Sequence, residues 1–499
     1  MNQLRTGAAL SYLTIIITNL VGLLLTPYII RMLQADEYGL YTLIGSFVGY
    51  LTLLDFGLNN TIVRFVAKYR AEGDAKGEAE FLGMSLIFYV VISTILVCIG
   101  IVFYYNLEWI FSKSMDPEQI DKAKIMVLIL VFNLAVTLPG NSFQAISSGY
   151  EKFIFPRAAS IIKYLIRSVT VVVILYYGAK AVEIVILDTV MNLLLIISNG
   201  FYVFKILKVK VSFKQIQKPM LYTVFSYSIW IFVFALVRQF QWKGGQMVLG
   251  IMTDTTTVAI LAVGIMLGSY YGAFSSAITS VFLPRATKMA VDNASGEELT
   301  SMMIRIGRLS FFVLLYIFGA FLLYGKQFVL LWVGDEFTEA WQIALLIMIA
   351  YTVPLVQGFG NSILEAKAKL RFKAIIYVSF VVIGVLLGAL LVPKYGATGM
   401  VAGNVIGWMI SQNIMNFYYH KAIRINIIRF FKELVDKNLL SMAFIMLVGV
   451  GITMLPGDGW MIFILKSALY SLTYFAVMYR FGMHVYEVDL IKSVIKRKR

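Results

Sequence analysis

The sequence predicts an all-α, polytopic integral membrane protein of about fourteen transmembrane helices. Three observations predict it: a composition rich in apolar and poor in charged residues, apolar stretches of spanning length that recur along the whole chain, and basic residues gathered at alternate joints between those stretches.

Of 499 residues, 60% are hydrophobic and 14% charged, and the mean hydropathy is +0.82. Soluble domains hold roughly 45–50% apolar and about 25% charged residues, so this chain lies in the membrane class. The formal net charge is +16. In so apolar a chain, Lys and Arg serve joints that face anionic lipid, which excludes nucleic acid as the expected partner. A lone Cys98 forms no intrachain disulfide, and His420 and His484 lie apart near helix ends, so no metal site is expected. The apolar run after Arg5 lacks a small-residue cleavage pattern and reads as a first span, not a removable signal.

Spans are expected at about 8–32, 41–66, 81–105, 123–147, 158–177, 182–204, 222–251, 257–283, 303–325, 340–364, 374–392, 398–418, 438–456 and 460–481. Basic residues crowd one set of joints, among them Lys68, Arg70 and Lys76, then Lys205, Lys208 and Lys210, then Lys421, Arg424 and Arg429, and finally the tail at Lys496 to Arg499. The opposite set holds Lys113, Lys180, Lys326 and Lys394. This asymmetry requires an even number of spans with both termini cytoplasmic.

Sliding the chain against itself exposes a repeat. Gly140-Asn141-Ser142 matches Gly360-Asn361-Ser362, Lys152-Phe153 matches Arg371-Phe372, and Tyr177-Gly178-Ala179 matches Tyr395-Gly396-Ala397, in one order and at nearly one offset. Six spans per copy give both copies the same topology, a parallel repeat with a site expected between the halves. The expected organisation is a six-helix lobe at 1–204, a basic linker at 205–219, a second six-helix lobe at 220–418, and two additional helices with a basic tail at 419–499.

The pattern Asp36-Glu37-Tyr38-Gly39-Leu40-Tyr41, followed by Asp55-Phe56-Gly57-Leu58 and the basic exit at Arg64, resembles the polysaccharide exporters and O-antigen or capsule repeat-unit flippases. These belong to the multidrug/oligosaccharidyl-lipid/polysaccharide (MOP) exporter superfamily. The stretch Gln246 to Met289, with its exit at Pro284-Arg285, resembles the corresponding second-half element, and the likeness of layout covers essentially the whole chain. The resemblance implies two six-helix lobes around a central cavity, two further helices, and alternating access without ATP hydrolysis. Independently, no Gly-x-x-x-x-Gly-Lys phosphate loop is present.

Ionisable residues inside spans are the best markers of a site, because each costs about 2.5–3.5 kcal/mol on insertion scales unless it faces a cavity or a partner. Lys163 and Arg167 lie four residues apart on one helix face. An anionic phosphate or carboxylate between them would relieve their repulsion; the alternative for Lys163 is snorkelling to the headgroups. Arg238, Gln241 and Gly245 form a polar stripe on span seven beside Lys243 and Gly244, read as cavity-lining or as an interhelical pair. Arg64 is either a vestibule contact or an interfacial anchor. Asp55 and Asp188 are the deepest carboxylates, expected either to carry a coupling ion or to neutralise Arg167 or Arg238. Asn141 and Asn361 read as interhelical hydrogen-bonding residues, with sugar binding as the alternative.

The function that the resemblance implies is translocation of an undecaprenyl-diphosphate-linked oligosaccharide or polysaccharide repeat unit across a bacterial cytoplasmic membrane; a monomer, no cofactor, and a proton or sodium ion as the coupling ion are expected. The surplus of Lys163, Arg167, Arg238 and Lys243 over Asp55 and Asp188 suits a diphosphate that must shed water. A peptidoglycan-precursor flippase would carry a similar surplus, whereas a drug/cation antiporter would concentrate acids. A membrane glycosyl transferase or polymerase would show clustered catalytic acids, and the chain is not expected to be an enzyme. Partners expected are the lipid-linked oligosaccharide, the bilayer, and a polysaccharide polymerase or other assembly proteins.

Overall fold

The computed structural model describes residues 3–213, 235–237, 239–367, 369 and 371–496. Among them every regular element is helical, and twelve segments are long and apolar enough to cross a membrane. The chain falls into two compact units, Met1–Ala259 and Ile260–Arg499. The expected seventh span, 222–251, and the expected linker, 205–219, extend into residues outside the described set.

The first unit contains α1 (Gln3–Leu33), α2 (Ala35–Leu51), α3 (Leu58–Glu72), α4 (Ala75–Phe111), α5 (Pro117–Gly149), α6 (Ile154–Tyr176), α7 (Ala181–Phe201) and α8 (residues 239–252). Local chemistry sets several starts: the Asp74 side chain accepts the Gly77 N–H at the head of α4, and Asp116 with Gln119 forms a capping box at the head of α5. Helix α1 packs along α6, where the Tyr164 hydroxyl donates to the Thr18 carbonyl (3.0 Å) and the Tyr28 hydroxyl to the Val172 carbonyl (3.1 Å). In a bilayer such bonds hold helices that hydrophobicity alone cannot sort.

Span two, expected as one helix over 41–66, is interrupted instead. A 3-10 turn at Thr52–Asp55 separates α2 from α3, and Phe56 (φ 48) and Gly57 (φ 72) take left-handed backbone conformations. Asp55, Gly57, Asn59 and Asn60 mark the break in the sequence, where a span assigned by length alone passes over it.

The family-like motif at the head of α2 has a packing role. Glu37 is buried, pairs with Lys122 of α5 at 3.0 Å, and accepts the Ala181 N–H at the head of α7 (3.2 Å). A Cβ on Gly39 would lie 1.8 Å from the Thr255 carbonyl oxygen, so only glycine permits this approach.

The second unit is organised around the long helix α10 (Gly296–Val333), whose start is a capping box of Ser295 and Glu298; it follows α9 (Thr255–Val291), which begins in the first unit. The remaining helices are α11 (Glu339–Val356), α12 (Gly358–Ala366), α13 (Arg371–Ile423), α14 (Ile427–Val435), α15 (Asn438–Thr453), α16 (Trp460–Val477) and α17 (Val485–Lys496). Helix α13 is 53 residues long, but it is a hairpin of two spans. Gly396 has φ 53 and ψ −136, and Gly403 returns so close to Gly388 that a Cβ would lie 2.1 Å from the Gly388 nitrogen. The sequence expectation of separate spans at 374–392 and 398–418 corresponds to these two arms.

The last two spans are fastened to α10. Tyr324, Ile445, Tyr470, Tyr474 and Met478 form one buried cluster, in which the Tyr474 hydroxyl donates to the Phe312 carbonyl (2.6 Å) and Tyr324 to that of Gly449 (3.1 Å). At the basic end of α10, Arg308 is 3% exposed and uses all its donors: Nε and Nη2 on the Glu487 carboxylate (2.7 and 3.2 Å), Nη2 on the Gly482 carbonyl (3.0 Å), and Nη1 on the carbonyls of Glu433 (2.7 Å) and Asp436 (3.0 Å). One guanidinium thus joins the ends of α10, α14, α16 and α17.

Candidate functional site

Helix α6 begins at Ile154, four residues before the expected start of span five at 158, with Pro156 tolerated in its first turn. Lys163 therefore lies about 13 Å along the helix, close to half of the roughly 30 Å hydrocarbon thickness. Its ammonium donates to Asn192 Oδ1 of α7 at 3.3 Å. Asn192 Nδ2 in turn donates to Asn133 Oδ1 (2.8 Å) and to the Thr137 hydroxyl of α5. Among the described residues, no carboxylate forms an ion pair with Lys163.

One turn further on, Arg167 meets Asp188 of α7 through two hydrogen bonds, Nε to Oδ1 at 2.6 Å and Nη2 to Oδ2 at 3.0 Å. The side chains are 17% and 28% exposed, sheltered enough for the pair to persist within a span. The Tyr41 hydroxyl of α2 donates to Asp188 Oδ2 (3.2 Å) and lies 3.5 Å from Arg167 Nη2. Three helices are thereby joined around one bidentate pair.

The charge count of this cluster is unequal. Lys163 and Arg167 bring two positive charges, Asp188 one negative charge, and Asn133, Thr137, Asn192 and Tyr41 bring none. Within this cluster the positive charge of Lys163 is left without a carboxylate ion-pair partner among the described residues.

The second unit repeats the polar frame without the charge. Gln357 is fully buried and donates to Asn416 Oδ1 at 2.7 Å; Gln412 Nε2 donates to Gln357 Oε1, and the Tyr377 hydroxyl donates to Gln412 Oε1 at 3.0 Å. Gln357 and Gln412 each lie 220 residues downstream of Thr137 and Asn192, the offset of the Gly140 and Gly360 match. The same helix crossing is pinned in both units, but its third member is an ammonium in the first and a tyrosine hydroxyl in the second.

The other expected site residues are dispersed. Lys243 is half-buried on α8, and among the described residues no carboxylate pairs with it. Gln241 is half-buried on the same helix, while Arg64 is exposed on α3. Arg238 lies outside the described residues. Asp55 sits at the interruption of span two, where its carboxylate accepts the Tyr89 hydroxyl (3.0 Å) and the backbone N–H groups of Gly57 and Asn59 at the head of α3. It forms no ion pair with Arg167, whose partner is Asp188. Asn361 accepts the Tyr419 hydroxyl at 2.7 Å, an interhelical bond. Asn192, Thr137 and Arg308 were not anticipated. Asn192, one turn after Asp188, is the one that a search for polar stripes within a span would have found.

A family model described as "Polysaccharide biosynthesis protein" matches residues 4–290. No curated protein matches the sequence. Among solved structures, a lipid II flippase, MurJ, in an inward closed conformation is similar at 18% identity, covering 94% of this chain and 98% of its own, with a TM-score of 0.69. A multidrug resistance MATE family transporter in an inward-facing conformation is similar at 14% identity, 81% and 94% coverage, and a TM-score of 0.64. A MOP superfamily transporter from Pyrococcus furiosus, described as having reversed polarity in its binding pocket, is similar at 14% identity, 84% and 93% coverage, and a TM-score of 0.52. The fold is that of the MOP exporter superfamily, and the molecule is a multi-pass membrane protein.

Proposed function

Because the chain belongs to the polysaccharide biosynthesis protein family, we propose that it translocates a lipid-linked anionic oligosaccharide of the undecaprenyl-diphosphate type across a bacterial cytoplasmic membrane, with both termini cytoplasmic. The observation that carries this reading is the uncompensated charge at Lys163, beside an Arg167 already balanced by Asp188. A half-buried cation inside a span without a carboxylate is unfavourable alone and favourable once an anionic headgroup arrives. The diphosphate exchanges hydration for charge-assisted hydrogen bonds, and the sugar meets the amide and hydroxyl groups around Asn133 and Asn192. Lys243 adds a second positive charge to the same unit.

A carrier of organic cations would need the opposite imbalance, and for that reason the charge count favours the flippase over a drug antiporter. Transport itself makes and breaks no covalent bond. Movement of the headgroup is coupled to an ion, proton or sodium, for which Asp55 is the fitting carboxylate, since no basic side chain among the described residues pairs with it.

The test is reconstitution of the full chain in vesicles holding a fluorescent lipid-linked oligosaccharide, with headgroup accessibility to an impermeant quencher followed over time. Protein-dependent movement of the diphosphate-linked lipid, without movement of a quaternary ammonium dye, supports the reading. Gradient-driven movement of the dye with a static glycan-lipid would overturn it in favour of an antiporter.

A further inference from the structure

At the basic end of the second unit, α10, α14 and the head of α17 line a pocket of about 370 Å³. Two of its guanidiniums are engaged: that of Arg308 as described above, and that of Arg429 on Glu433 (Nε to Oε1, 2.6 Å) and on Glu297. The third belongs to Arg305, which is exposed on α10 and has no carboxylate paired with it among the described residues. Its guanidinium lies 5.5 Å from the centre of the Tyr486 ring, and the Tyr486 hydroxyl donates to the Arg305 carbonyl (3.3 Å), which keeps the ring beside it. Carboxylates are in surplus on the α14 side. One positive charge, Arg429, serves both Glu433 and Glu297, and Asp436, just past α14, faces His484 Nε2 at 3.3 Å, an imidazole that balances it only when protonated. That Nε2 is itself buried without a hydrogen bond. Val485, also in the wall, is 78% exposed.

We infer that this pocket binds the headgroup of an aminophospholipid from the surrounding bilayer, with its phosphate on Arg305 and its ammonium on Glu433. The inference is independent of what the protein carries. Three features select this ligand. The open guanidinium of Arg305 presents a planar fork of donors, which suits a phosphodiester. The surplus carboxylate charge on the α14 side repels a headgroup that is anionic only and attracts one that also bears an ammonium; a choline group, having no N–H, cannot donate to Glu433. The exposed Val485 beside the charged groups suits an amphiphile whose acyl chains pass over it, whereas a soluble phosphate ester would leave it in water. Pockets with basic residues between membrane helices are known places for such headgroups. A lipid held here touches α10, α14 and α17 at once, three of the helices that Arg308 fastens, and so reinforces that junction.

The experiment is native mass spectrometry of the purified full chain in detergent, offered phosphatidylethanolamine, phosphatidylglycerol or phosphatidylcholine with identical acyl chains. Phosphatidylethanolamine should be retained over the other two, and its retention should fall about tenfold in Arg305→Gln, the loss of one charge-assisted contact. Glu433→Gln should lower retention of phosphatidylethanolamine without lowering that of phosphatidylglycerol. Thermal unfolding of each variant at the wild-type temperature in lipid-free detergent ties the losses to the pocket. If Glu433→Gln unfolds early because Arg429 is released, Ser301→Phe fills the pocket from α10 with both charges in place, and it should lose the lipid as well. Unchanged retention in Arg305→Gln and Ser301→Phe would overturn the pocket. Phosphatidylglycerol held as tightly as phosphatidylethanolamine by the wild type would overturn the ammonium contact and with it the choice of ligand. Displacement of the lipid by an equal concentration of free phosphoethanolamine would overturn the bilayer as its source, in favour of a soluble phosphate ester.

Discussion

Arg167 and Asp188 face each other across α6 and α7 as a bidentate pair, with the Tyr41 hydroxyl on the same carboxylate. Removing one member of a sheltered pair leaves a charge without compensation, a loss of about 3–5 kcal/mol, whereas replacing both by apolar residues is often close to neutral. Asp188→Ala should therefore reduce the amount of protein in the membrane and its unfolding temperature. The double change Arg167→Met/Asp188→Leu should recover most of both, yet transport less than the wild type. Immunoblots of membranes and thermal unfolding in detergent check this, and a double variant no more stable than Asp188→Ala would contradict it.

Arg308 predicts a different phenotype, because its role is to fasten helices. With five hydrogen bonds to Glu487 and three backbone carbonyls, its removal should destabilise the second unit by about 3–5 kcal/mol. Lysine cannot reproduce the planar fork, so Arg308→Lys should recover little. Limited proteolysis should release the segment around α17 in Arg308→Ala before the rest of the chain is cut. Equal resistance in variant and wild type would show that the bonds to Arg308 are dispensable.

The paired polar crossings should behave alike. Thr137→Val breaks one interhelical bond and Gln357→Leu two, and each lost bond should lower stability by about 0.6–2 kcal/mol, the range for such bonds in bilayers. Thr137→Val should in addition slow transport, since it loosens the amide that holds Lys163, while Gln357→Leu disturbs a frame that carries no charge. Equal effects of the two on transport would count against the asymmetry between the units.

Asp55 offers a test of coupling. Asn preserves the acceptor for Tyr89 and for the amides at the head of α3 but cannot bind a proton or balance a sodium ion. Asp55→Asn should fold normally and move the lipid down its own gradient, but gain nothing from an imposed proton or sodium gradient. A full response to either gradient in this variant would exclude Asp55 as the coupling group.

Fold class was legible because a bilayer leaves few options: apolar runs of spanning length must be helices, and basic joints orient them. The repeat was legible for a similar reason, since Gly140 and Gly360 mark matching crossings whose hydrogen bonds fall at one offset. Arg167 and Asp188 stood out as charges within spans, and neutralisation of Arg167 or Arg238 was one of two roles expected for Asp188; which arginine it meets depends on the rotation of α6 against α7, which an apolar pattern common to most faces does not specify. Arg308 escaped notice because it lies near a span end, where a cation by default reaches water, and its carboxylate partner stands 179 residues away. The interruption at Asp55 was missed although Asp55, Gly57, Asn59 and Asn60 mark it, because the apolar residues before and after them were joined into one span of the required length.

The decisive measurement is the rate at which reconstituted wild type, Lys163→Arg and Lys163→Gln move an undecaprenyl-diphosphate-linked oligosaccharide between leaflets. If the unbalanced cation receives the headgroup, Lys163→Gln falls about tenfold or more at unchanged protein abundance, and Lys163→Arg keeps most of the wild-type rate. A Lys163→Gln protein working at the wild-type rate would contradict the account.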